Sequence, residues 1–134
     1  MMISTLALLA NTPEEDLNNH LSKYAQYATI DSEKAWFHAE KMLEISKAHN
    51  LPVFTAKAYY AIGNLYFKQG NYDSTVVRLK AAIHLLDSSN VQNGKAVAFS
   101  LMGLAYKYKG DLSSSMYYLQ ESLKWAQELK EERQ

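Results

Sequence analysis

Four histidines, His20, His38, His49 and His84, are the residues best suited to acid–base or metal chemistry, and their spacing supports neither. No His-Glu-x-x-His run occurs. His38 and His84 fall on expected second helices of helical hairpins, where partly exposed surface positions account for them. The 134 residues contain no cysteine, which removes disulfides, thiolate zinc sites and thiol nucleophiles together. Gly94-Lys95-Ala96 comes closest to a phosphate-cradling loop and fails at its third residue. Glu40 and Glu44, four apart beside Lys41, mark a solvated helical face. Tyr59-Tyr60 and Tyr117-Tyr118 could stack on single-stranded bases. Fourteen basic against fourteen acidic residues, however, leave no field to track a phosphate chain. The residues therefore nominate no catalytic, cofactor-binding or metal-binding site. The expectation is a non-enzyme that binds neither nucleic acid nor membrane.

The elements behind these residues are helical. One domain is expected from the length, and 48% apolar with 21% charged residues is a globular composition. Two prolines and five glycines are too few for the many turns of an all-β fold. The opening Met1 to Ala10 is apolar but too short to span a bilayer and lacks the positive start of a signal peptide. It is expected to cover the apolar end of the first helices, with a truncated signal sequence as the alternative. A cytoplasmic location follows from the first reading and a periplasmic one from the second. Thr12-Pro13-Glu14-Glu15 reads as a helix start.

Self-comparison organises the remainder. At an offset of 40, four of the five glycines pair, Gly63 with Gly103 and Gly70 with Gly110. Ala56/Ala96, Ala58/Ala98, Tyr66/Tyr106, Ser74/Ser114 and Leu79/Leu119 are also identical, where unrelated sequence would give about two matches. Tyr59, Ile62, Leu65 and Tyr66 follow the spacing of one helical face, Gly70-Asn71 closes the helix, and Val76, Leu79, Ile83 and Leu86 form the next stripe. Residues 94–131 repeat this, and Asp31, Ala35, Ala39 and Leu43 match its second half. The expectation is one domain over 1–134, with a degenerate unit at 14–50 and complete units at 53–90 and 94–131. Helices are expected near 14–28, 32–49, 53–69, 72–88, 94–109 and 112–131. Leu17, Leu21, Tyr24 and Tyr27 would form an irregular first helix, because Lys23 stands where the offset predicts glycine.

Glycine inside a helix costs roughly 1 kcal/mol against alanine. Gly63 and Gly103 therefore imply close approach of the second helix, through the small residues Thr75, Ala82, Ser115 and Ser122.

Tyr59, Ile62-Gly63, Tyr66, Thr75, Leu79 and Ala82, repeated as Phe99, Met102-Gly103, Tyr106, Ser115, Leu119 and Ser122, resemble the tetratricopeptide repeat motif. The period of 40 exceeds the family's usual period of about 34, and the proline that usually ends the unit is missing. This longer form resembles the repeats of bacterial signalling proteins that precede a kinase or DNA-binding output domain, and the sequence contains no such domain. The resemblance implies an all-α fold, a right-handed superhelix of antiparallel helix pairs with about six helices. It also implies a concave wall, built from the first helix of each pair, that holds a peptide or partner helix.

On the motif's register the wall would present Lys57, Tyr60, Asn64, Phe67 and Lys68, then Val97, Ser100, Leu104, Lys107 and Tyr108. Residues 51–110 carry a formal charge of +5 between segments of −3 and −2, which would steer an acidic peptide to the middle. Lys68, Lys107 and Lys109 could instead serve only to solvate helix ends. Tyr60 and Leu101 stand where capture of a chaperone carboxylate would need basic or amide side chains. The last helix carries Leu119, Leu123 and Trp125 before a charged tail, which suggests either part of a longer regulator or a homodimer through the open end.

Overall fold

The computed structural model describes residues 10–132, and these residues form six helices: α1 (Pro13–Tyr27), α2 (Ser32–Ala48), α3 (Pro52–Lys68), α4 (Tyr72–Ser88), α5 (Lys95–Lys109) and α6 (Leu112–Glu132). The expected cover formed by residues 1–10 lies almost wholly outside the described residues.

Helix ends follow from local chemistry. The side chains of Thr12, Asp31 and Asn71 accept bonds from the backbone N–H three residues on, and so cap α1, α2 and α4. Asp111 does the same for α6 and also accepts from the Ser114 hydroxyl, and these two bonds hold its carboxyl below the usual range. Gly70 and Gly110 take positive φ angles of 78° and 88° at the turn of each complete hairpin. The next N–H then returns to Tyr66 or Tyr106 at 2.9 and 3.0 Å. Asn50 and Asn90 adopt the same left-handed conformation between hairpins, which asparagine tolerates better than most residues.

Each helix packs on its neighbours in the chain, α1 on α2 through to α5 on α6, with a small additional contact between α3 and α5. This is the translational order of a solenoid, an all-α row of tetratricopeptide-repeat type. Its core is a series of clusters along the row, with Ala35, Ala39, Ala61, Ile62 and Leu65 in one and Val76, Leu79, Ala98, Met102 and Ala105 in another.

Two packing expectations need correction. The first helix is continuous, with Leu17 and Tyr24 buried, and Lys23 is exposed, so no close approach demands glycine there. The neighbour that crowds each core glycine is a leucine. A Cβ on Gly63 would lie 3.4 Å from Leu79 Cγ, and one on Gly103 would lie 2.7 Å from Leu119 Cγ and Cδ2. Thr75 does border Gly63, its hydroxyl donating to the Gly63 carbonyl at 3.1 Å. Ser115 presents its carbonyl to Gly103. Ala82 instead packs with Ala56 and Leu86, and the Ser122 hydroxyl donates to the Ala96 carbonyl at 2.6 Å.

Candidate functional site

The wall expected to bind is formed by α1, α3 and α5, and it contains two adjoining hollows. The larger, of about 500 Å³, is lined by Leu21 and Tyr24 of α1, Val53, Lys57 and Tyr60 of α3, Val97 of α5 and their neighbours. The smaller, of about 310 Å³, is lined by Tyr60, Val97, Ser100, Leu104 and residues beside them. Tyr60 and Val97 belong to both and form the ridge between them. These linings are mainly apolar, so they suit aliphatic or aromatic side chains of a partner.

Two phenols lie on this wall. Burial pushes the Tyr24 hydroxyl above its ordinary value, against the opposing effect of a bond from Asn64. Burial and the nearby Tyr24 raise Tyr60 in the same direction. Both hydroxyls therefore remain protonated at neutral pH.

The structure separates the ten wall residues into groups. Lys57, Tyr60, Val97, Ser100 and Leu104 line the hollows. Phe67 and Tyr108 lie apart from them, in a cluster with Tyr72, whose ring stacks on Tyr108 at 5.5 Å. Asn64 donates to Tyr24 Oη at 2.8 Å, and Lys68 donates to the Ala28 carbonyl at 2.7 Å. These two side chains join α3 to the first hairpin, a structural duty that the motif register did not reveal. Lys107 is exposed, and Lys109 forms an ion pair with Asp73 across the hairpins.

Tyr24, Leu21 and Val53 are wall residues that the sequence reading missed. A pairing at offset 40 of Tyr24 with Asn64 was available, but nothing local distinguished a contact from a coincidence. The ammonium of Lys57 lies 4.9 Å from the Phe54 ring centre, which fixes a positive charge at the edge of the larger hollow. Leu101 is buried, so it offers nothing to a carboxylate. Among the described residues no group of three or more His, Asp or Glu converges as metal ligands, and no helix is long and apolar enough to cross a membrane.

Residues 56–77, comprising most of α3 and the first turns of α4, match the tetratricopeptide repeat family model. The crystal structure of the tetratricopeptide-repeat domain of Arabidopsis FLU superimposes with a TM-score of 0.79. At 17% identity, the alignment covers 87% of this chain and 98% of that one. No curated protein sequence matches the chain. The matched repeat and the shared row of helical hairpins assign this chain to the tetratricopeptide-repeat fold.

Proposed function

We propose that the concave wall holds a segment of a partner protein, a peptide or a helix, whose apolar side chains enter the two hollows on either side of Tyr60. The observation that carries this reading is the pair of adjoining apolar hollows sharing the Tyr60–Val97 ridge. Side chains three or four positions apart on one helix face could enter both. Lys57 and Lys107 add positive charge beside this track, which favours a segment with acidic flanks. The long-period likeness to bacterial signalling repeats supports a sensory or scaffolding role in a regulatory protein. No chemical step is assigned to the wall.

A photo-crosslinking residue at Val97, exposed at the ridge, should capture a discrete partner from the source cell, and Tyr60→Glu should abolish that capture without changing helicity. The same probe at Val77, an exposed position on α4, should capture nothing equivalent. Equal labelling from both positions, or capture indifferent to Tyr60→Glu, refutes binding in the hollows.

A further inference from the structure

The last described helix presents an apolar seam to solvent. Leu112, Met116, Leu119, Leu123 and Ala126 recur at alternating spacings of four and three, and all five are exposed. Met116 and Leu123 are 62% and 60% accessible, unusual for large apolar side chains in register on one stripe. Among the described elements, α6 packs substantially only on α5.

The repeat itself shows that this stripe is a helix seat. Forty residues earlier the same positions are Tyr72, Val76, Leu79, Ile83 and Leu86 of α4. Val76 and Leu79 are buried in the core cluster that includes Ala98, Leu101, Met102 and Ala105 of α5, Tyr72 and Ile83 pack partly buried against it, and Leu86 is buried with Ala56 and Ala82. On α6 the seat is present, and no helix among the described residues occupies it.

The flanking residues select among occupants. Ser113, Gln120 and Gln127 border the seam and are uncharged, so the surface can meet a copy of itself without like-charge repulsion. Among the described residues at the opposite end of the row, α1 exposes Asn18, Asn19, Ser22 and Gln26, a polar face that offers little to a head-to-tail apolar neighbour. Charge also sets direction. The last turns of α6 carry Glu128, Glu131 and Glu132 against a single Lys130, and a parallel pairing would bring both acidic ends together. An antiparallel pairing keeps the two acidic ends apart by the length of the helix. It also carries each acidic end toward the partner's α5–α6 turn, where exposed Lys107 stands just before α6.

We infer that this protein forms a closed two-fold dimer in which α6 of one copy lies antiparallel on α6 of a second, with Leu119 near the axis. A single helix face is smaller than the about 800 Å² per partner of a standard stable interface, so the dimer should dissociate on dilution.

Sedimentation equilibrium of the 134-residue chain from about 1 µM to 1 mM should show the mass rising from one chain to two and stopping there. Met116→Lys with Leu123→Lys should remain monomeric throughout with unchanged helicity, since both side chains are exposed. The absence of native cysteine allows a direct check of direction. Gln120→Cys, beside the axis, should form a disulfide-linked dimer on oxidation. Ser113→Cys should not, because its partner would lie about 20 Å away along the helices. A wild-type mass that stays at one chain overturns the inference in favour of a seam covered from within the chain. Growth beyond two overturns it in favour of head-to-tail assembly, and ready crosslinking through Ser113→Cys overturns the antiparallel arrangement.

Discussion

Helices α4 and α6 occupy the same place in successive hairpins, yet their matching residues have opposite surroundings. Val76 and Leu79 are no more than 6% accessible, whereas their counterparts Met116 and Leu119 are 62% and 38% accessible. The side chains are chemically alike, so the difference arises from α5, which covers α4 and has no counterpart over α6 among the described residues. In a row of hairpins each stripe depends for its burial on the next unit, and stability is distributed among neighbouring interfaces.

The largest expected effect tests this difference directly. Leu79→Ala removes a fully buried side chain and should lower stability by about 3 kcal/mol through lost transfer energy and a residual cavity. Leu119→Ala, at the matching position but 38% accessible, should cost about 1 kcal/mol or less at concentrations where the chain is monomeric. Thermal melts of the two variants in dilute solution provide the measurement. Equal losses would mean that α6 is covered as completely as α4.

The core glycines sharpen the comparison at a smaller scale. Gly63→Leu should lower stability by about 1–3 kcal/mol, because atoms beyond Cβ have no room beside Leu79. Gly63→Ala should be neutral or stabilising by up to about 1 kcal/mol, since the new methyl meets Leu79 at an ordinary 3.4–3.5 Å and the helix gains propensity. Gly103→Ala should be less favourable than Gly63→Ala, because its methyl would lie 2.7 Å from Leu119 and 3.2 Å from the Ser115 carbonyl. Outward movement of half-exposed Leu119 should limit the cost to about 1 kcal/mol. Denaturant unfolding of the alanine variants would refute the packing assignment if Gly63→Ala proved the more damaging.

Features specified within one hairpin were the most readable from sequence. The helix bounds fall within two residues of expectation, because Thr12, Asp31, Asn71, Gly70 and Gly110 are local caps and turns. The presence of close helix packing at Gly63 was also readable, but its neighbour was not, since Leu79 rather than Ala82 occupies the space. At the wall, Tyr60, Ser100 and Leu104 could be placed by repeat register. Asn64 and Lys68 could not, because their partners belong to the preceding hairpin. Lys95 shows the same limit more sharply. A lysine at a helix start reads as solvated, yet it is 5% accessible, paired with Asp87, and its ammonium lies 4.1 Å from the Trp125 ring centre. The residues that enclose it come from α4 and α6, on both sides of its own helix.

The degenerate first unit extends the comparison to a third version of one position, His38, Arg78 and Tyr118, each set against a first-helix ring. Arg78 lies over Tyr59 and Tyr118 stacks near Phe99, whereas His38 meets His20 with 2.9 Å between their Nδ1 atoms. One ring must donate and the other accept, so the pair is compatible with one shared proton. Tyr27 and Phe37 flank His38, and burial, followed by His20 and Lys23, holds its pKa below the ordinary histidine value. Lys34 over Tyr27 and Lys41 over Phe37 add further positive charge nearby. Because the folded pKa is depressed, the unfolded chain binds the proton more readily. The stabilising contribution is therefore present above the unfolded value of about 6.5 and declines as pH falls below it. Melting temperature should consequently drop between pH 7.5 and 5 in the native chain, and less so in His38→Gln, which removes this proton-linked difference. Parallel pH profiles for the two proteins would show that this site does not supply the acid sensitivity.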